Sequence, residues 1–225
     1  NGLSDGVCIA PQVMVAKRIL LQCIALVGNP MNSTPPKSTS WRLVAEKVFL
    51  DFPYLQIVER DCKRESDPED QTAHRFYALR AKDWCNVIPV TEDGKLVLIQ
   101  QFRHGIDSID IGLASGGFSK GETALACAKR ELKEETGYSS HDWIALGKHA
   151  ISAGNSAGWQ YSFLALECVE GVQELEADEY IDVLVVSKEE LQAYMAKNKI
   201  HDSGPLLALH LAKEEVLKRF SYLLF

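Results

Sequence analysis

Residues 116–138 read GGFSKGETALACAKRELKEETGY, and the reading of this stretch decides the fold. Its fixed points are Gly116, Glu122, Arg130, Glu131, Leu132, Glu134, Glu135, Gly137 and Tyr138. From Glu122 to Thr136 there is no Pro or Gly, and Ala124, Leu125, Ala128 and Leu132 recur at helical spacing. The spacing predicts one amphipathic helix, entered from a Gly-rich turn and closed by Gly137 in a left-handed cap. On that helix Glu131, Glu134 and Glu135 stand at i, i+3 and i+4, so their carboxylates share one face. Like charges on one stripe repel, and only Arg130 and nearby lysines offset them. A hard divalent cation resolves the conflict: Mg²⁺, with Mn²⁺ as substitute, takes oxygen ligands from a few carboxylates, waters and substrate phosphates. Arg130 is placed to orient one glutamate, and Gly116 lets the loop backbone approach a metal closely.

An Arg-Glu-Leu-x-Glu-Glu run alone is common on solvated helices. The full set of polar and Gly positions is another matter, since average residue usage gives a chance match on the order of 10⁻⁸ per window. The stretch resembles the signature of the Nudix hydrolases, with every defining position filled. The resemblance implies an α/β/α sandwich with a mixed sheet. It also implies an enzyme that binds Mg²⁺ on this loop and helix and cleaves a diphosphate joined to another group. In that frame Glu131 and Glu135 are the metal-holding carboxylates, and Glu134 and Arg130 belong to the catalytic set. The motif says little about the substrate.

Working upstream, Asp93-Gly94 in TEDGK is a hairpin signal between the strands WCNVIPV and LVLIQQF. Further strands are expected in WRLVAEKVFLDF, YLQIVERDCKR and HRFYALRAKDW, with the acidic loop ESDPEDQTAH between the last two. This strand-rich extension, and the phrase NVIPVTEDGKLVLIQQFRHG, are similar to the ADP-ribose pyrophosphatase branch of the Nudix family. The resemblance covers roughly Trp41 to Ala212. It implies a homodimer paired through strands in residues 41–80. Arg103, at the end of QFRHG, suits a phosphate by its planar donor fork or else a strand-end ion pair; the resemblance places it near the substrate. Before the signature the branch reads Glu-Leu-Pro-Ala-Gly. Here Gly112, Leu113, Ala114, Ser115 and Gly116 stand instead, which bears on loop rigidity and substrate choice. The Ser115 carbonyl can still serve as the backbone metal ligand implied there, because that role needs no particular side chain.

Downstream, WIALGKHAI and YSFLALECV read as strands flanking SAGNSAGWQ, a Gly- and Ser-rich segment expected to be mobile. Trp159 or Tyr161 could stack on a base, with Tyr161 the better fit to the core of its strand. GVQELEADEY is an acidic loop before the strand YIDVLVVS. The resemblance implies that a Glu from this loop acts as metal ligand or general base: Glu179 matches best, with Glu176 and Asp178 as alternates. Ser187 and Glu190 form a capping box, and Pro205 opens a helix expected to pack on the sheet.

The balance of the chain fits an acidic, globular enzyme. It has 225 residues, net charge −7, 46% hydrophobic and 24% charged residues. That charge argues against a general nucleic-acid surface. The six cysteines (8, 23, 62, 85, 127 and 168) show no CxxC spacing and read as reduced, mostly buried small hydrophobes. Val13–Val27 is apolar but short and interrupted by Lys17-Arg18, so no stable membrane association is expected. Residues 1–40 form a leader or linker ahead of a catalytic unit at 41–225. Their acid-poor, Ser-rich character also fits a transit peptide, so the expected location is the cytoplasm, or a plastid or mitochondrion if the leader is a targeting segment.

These features lead to Mg²⁺-dependent hydrolysis of a nucleoside diphosphate linked to a sugar. The branch resemblance favours ADP-ribose, giving AMP and ribose 5-phosphate. Two alternatives stand beside it. One is another nucleoside diphosphate derivative (an NDP-hexose, a dinucleoside polyphosphate or a coenzyme). The other is a ligand-sensing module without turnover.

Overall fold

A computed structural model describes residues 40–53 and 55–219, with side chains to 215. Of the leader expected at residues 1–40, residues 1–39, with Cys8 and Cys23, lie outside the described residues. Two units divide the chain: residues 1–42 with 63–72, and residues 43–62 with 73–225. In the first, the Glu65 N–H donates to the Ser40 carbonyl at 2.9 Å and Arg42 pairs with Glu69 at 3.1 Å.

The elements are β1 (Trp41–Asp51), β2 (Leu55–Arg64), β3 (His74–Ala81), β4 (Trp84–Thr91), β5 (Leu96–Arg103), β6 (Ser108–Gly112) and β7 (Ala114–Gly117). Then follow α1 (Ala124–Thr136), β8 (Asp142–Ala150), β9 (Trp159–Cys168), β10 (Ile181–Val186), α2 (Lys188–Ala196) and α3 (Ser203–Arg219). Strands β1–β3 form one sheet in that order, and the second runs β10-β5-β4-β9-β8, with β6 on β5 and β7 on β4. Only β4–β9 is parallel among the pairings of this mixed sheet, counted over the described residues.

Alternation along β4 builds the layers. Cys85 and Val87 face α1, where they pack with Cys127, Ala128 and Leu132. Ile88 and Val90 face the other way, into a core with Leu98, Leu113 and Leu164 closed by Leu191 of α2 and Ala208, Leu209 and Ala212 of α3. Burying one such Leu stabilises the fold by roughly 1.5–3 kcal/mol. The result is the α/β/α sandwich anticipated from the sequence, with α3 on the sheet as expected.

The local signals also hold. The Asp93-Gly94 turn is closed by the Thr91 N–H on the Lys95 carbonyl at 2.9 Å, and both hydrogen bonds of the Ser187–Glu190 capping box are present. Three readings change. The signature helix begins at Ala124, not Glu122: Thr123 is the N-cap, its hydroxyl accepting the Ala126 N–H, while Glu122 turns back to the Ser119 N–H. The approach to the signature is not a plain turn, because Ala114–Gly117 pairs with β4. The Gly- and Ser-rich 152–158 segment is tied to β3: the Leu79 N–H donates to Asn155 O and the Ala157 N–H to Leu79 O, both at 2.8 Å.

Candidate active site

The site starts from the last two turns of α1. Glu131 and Glu135 are buried, and Glu134 is half-buried. Gly137 closes the helix with φ 77°, its N–H on the Lys133 carbonyl. A side chain there would meet the backbone of residues 171–173, so this glycine also admits the acidic loop against the helix end. Gln173 fastens that loop, its amide donating to the Glu135 carbonyl at 2.6 Å and to the Ile181 carbonyl at 3.1 Å. The Glu174 N–H adds a bond to the Glu134 carbonyl at 2.9 Å.

This fastening brings Glu179 into play. Its N–H donates to the Glu176 carbonyl at 3.1 Å, and its carboxylate accepts the Glu176 N–H at 3.0 Å. Glu179 is half-buried, whereas Glu176 and Asp178 are exposed. Its negative charge acts on both Glu131 and Glu135.

The β7 loop meets the helix from the other side. The Ser115 N–H donates to the Glu135 carboxylate at 2.7 Å, and Gly116 lies against the Glu131 carboxylate so closely that a Cβ would collide with it. Burial, reinforced by Glu131 and Glu179, pushes the Glu135 carboxyl up to about 8 against the pull of the Ser115 N–H. Burial likewise raises Glu131, although Arg130 pulls it down.

Arg130 ties the cluster together. Its guanidinium donates to Glu122 at 3.0 Å, to Glu131 at 2.7 Å, to Glu134 at 2.9 Å and to the Gly117 carbonyl at 3.1 Å. In return it holds the Glu122 carboxyl below its usual range. Of the stripe Glu131, Glu134 and Glu135 it orients two, where the sequence suggested one, and it holds Glu122 as well.

Beside this cluster lies a cavity of about 750 Å³, whose lining includes Arg103, Ser115, Gly116, Trp84 and Asn86. Arg103 faces it and acts electrostatically on Glu135. With the Gln101 amide turned so that its oxygen faces the guanidinium, that oxygen accepts from both terminal nitrogens of Arg103 at 3.2 Å. Trp159 is not in the cavity lining; its ring lies under Lys148 Nζ at 4.5 Å. Tyr161 packs on Phe118 in the α1-side core.

Among the described residues no three His, Cys, Asp or Glu side chains converge as a ready-made metal cage. The donor set nevertheless suits a hard cation: buried carboxylates whose protonation is driven up by burial and by one another, with a glycine where a side chain would collide with the Glu131 carboxylate. Sequence reasoning missed Gln173, Asn86 and the Asp110–His201 pair.

The comparisons with known proteins agree with this arrangement. Residues 83–209 match the NUDIX domain. The chain belongs to the Nudix family, hydrolases of diphosphate-linked compounds whose chemistry depends on a divalent metal. It is 29% identical over 160 residues to the methanol dehydrogenase activator of Bacillus methanolicus, covering 67% of this chain and 83% of that protein. It is 30% identical over 135 residues to the ADP-ribose pyrophosphatase of Bacillus subtilis (strain 168), covering 59% of this chain and 73% of that protein. A crystal structure of an ADP compounds hydrolase shares the fold with a TM-score of 0.69 at 17% identity, covering 80% of this chain and 96% of that one. Among the described residues no helix is long and apolar enough to cross a membrane.

Proposed function

We propose that the chain hydrolyses a nucleoside diphosphate linked to a sugar in a Mg²⁺-dependent reaction, with ADP-ribose the leading substrate and AMP and ribose 5-phosphate the products. The observation that carries this reading is the placement of Glu131, Glu135 and Glu179 in one another's field beside the cavity that Arg103 lines. The similarity to an ADP-ribose pyrophosphatase supports the choice of substrate.

Glu131, Glu135, Glu179 and the Ser115 carbonyl would hold the metal, whose charge would neutralise diphosphate oxygens and acidify a bound water. Glu179 accepts the proton of the attacking water. Arg103 meets the diphosphate with its planar fork and stabilises charge developing at phosphorus. Arg130 keeps Glu131 and Glu134 in position, and Gly116 leaves room for the Glu131 carboxylate.

The functional unit in this reading is a homodimer. Leu43, Phe49 and Tyr77 on β1 and β3, and Phe52 in the turn after β1, are exposed, and a second copy pairing there would cover apolar surface. A hydrolysis screen over nucleoside diphosphate sugars, dinucleoside polyphosphates and coenzymes with Mg²⁺ tests the proposal. Turnover fastest on ADP-ribose, with AMP released, supports it, and no turnover on any diphosphate sugar sinks it.

A further inference from the structure

Away from the glutamates, the cavity is walled by Asn86, Asp110 and His201. Asn86 is 2% exposed, and among the described residues its amide has no hydrogen-bond partner. Asn86 lines the cavity, so its amide is open to a ligand there and is not sealed in the core. Asp110, 3% exposed, accepts from the His201 backbone N–H and from ring Nδ1, each at 2.9 Å. With Nδ1 engaged by the carboxylate, Nε2 is the ring nitrogen left for a ligand. The helix α3 starts next to them, and Gly204 there keeps space clear: a Cβ would lie 3.2 Å from Asn86 Nδ2.

The chemistry of the wall selects its ligand. Asn86 offers an acceptor in Oδ1 and a donor in Nδ2, His201 offers Nε2, and Asp110 brings a carboxylate. A phosphate placed against this wall would face the Asp110 carboxylate. Neutral hydroxyls both donate and accept, which this set satisfies. Arg103 and Lys82 are cationic side chains in the same cavity lining.

We infer that Asn86 and His201, the latter positioned by Asp110, form a subsite for the hydroxyls of the sugar attached to the nucleoside diphosphate, and that this subsite sets the enzyme's preference for sugar over non-sugar substituents. The inference rests on the proposed hydrolase function. A site built to bond hydroxyls discriminates strongly against a ligand lacking them, because its buried polar groups then go unpaired.

The test measures kcat and KM on three substrates with one nucleoside: its diphosphate sugar, its diphosphate methyl ester, and a symmetric dinucleoside diphosphate. Wild type is compared with Asn86→Leu, which is close in volume, and with His201→Phe, which keeps a ring. The expected result is a preference for sugar over methyl ester, measured by kcat/KM, that falls about tenfold or more in each variant, mainly through KM. Cooperative melting establishes that each variant is folded; should Asn86→Leu fail to fold, Asn86→Ser and His201→Phe carry the test. Equal losses on sugar and methyl ester overturn the subsite. So does a loss confined to the dinucleoside diphosphate, which would assign this wall to a base. If wild type turns over no diphosphate sugar, the proposed function fails and the subsite falls with it. Turnover with an unaltered preference in the variants overturns the subsite alone.

Discussion

The Glu135 carboxylate accepts the Ser115 backbone N–H at 2.7 Å, joining the last turn of the signature helix to the strand that precedes the motif. The bond is charge-assisted when Glu135 is ionised, yet burial favours the protonated form. The same carboxylate therefore holds the loop in place and stores repulsion with Glu131 and Glu179.

Replacing Glu135 with Gln separates these roles. The amide oxygen can still accept the Ser115 N–H, so the fold should survive. The charge for metal and diphosphate chemistry is lost, and kcat should fall on the order of 10²-fold or more, with Glu134→Gln lowering it in the same direction. Steady-state kinetics beside a melting curve checks this; wild-type turnover in both variants would mean that these glutamates do not carry the chemistry.

The raised Glu135 carboxyl has a consequence for stability in chelator. Its folded value of about 8 lies above the 4.5 of an ordinary glutamate, so the folded state binds more protons between those limits. Stability must then fall as pH rises through that window, by up to about 1.4 kcal/mol per pH unit from this group. Glu131, also raised, adds to the same slope. Glu122, held low by Arg130, acts in the opposite sense but only below about 4.5. Urea unfolding in EDTA at pH 5.5 and 8 should show the higher midpoint at pH 5.5, and Glu135→Gln should flatten the difference. Mg²⁺ should restore stability mainly at the higher pH, because the ionised carboxylates bind it.

How far the sequence foretold this site depends on the kind of signal each residue carries. Glu131, Glu134, Glu135 and Arg130 were legible because helical periodicity converts spacing into a shared face. The strand Ala114–Gly117 was not, since a run of Ala, Ser and Gly has no alternating pattern, and its strand character comes from pairing with β4. Gln173 looked like one polar residue in an acidic loop; only the position of the helix end reveals its two carbonyl partners. Asn86 sits inside an apolar strand, where its single polar side chain was a signal that could have been followed.

Arg130→Lys should disturb both stability and rate. A lysine carries the charge but cannot span Glu122, Glu131, Glu134 and the Gly117 carbonyl with one planar fork. A loss of about 1–3 kcal/mol in chemical denaturation is expected from the unpaired, partly buried carboxylates. Full activity with unaltered stability would show that the guanidinium network has no role.

The exposed face of β1 and β3 gives a prediction about assembly. Phe49 and Tyr77 meet edge to face at 5.9 Å between ring centroids, and Phe49 is 56% exposed. Light scattering at micromolar concentration should give the mass of a dimer, and Phe49→Asp should shift it towards monomer. A wild-type monomer with full activity would remove the dimer from the proposal.

Glu179 should be the loop carboxylate that matters most. Its loop is pinned at one end by Gln173 and continues at the other into β10, which pairs with β5 through Ile181 and Gln101. Glu179 lies next to that strand and turns its carboxylate to the Glu176 N–H, while Glu176 itself is exposed and spends its backbone on Glu179. A general base must reach the attacking water from a fixed position, and Glu179 acts electrostatically on both buried helix glutamates. Glu179→Gln should therefore lower kcat strongly with little change in KM, the pattern of a group used in the transition state. Glu176→Gln and Asp178→Asn should stay within a few-fold of wild type, because neither side chain contributes to the pairing that holds the loop. If Glu176→Gln is inactive and Glu179→Gln is silent, the base lies three residues earlier. If all three variants remain active, proton transfer belongs to the helix, and Glu134, the half-buried member of the trio, becomes the residue to replace next.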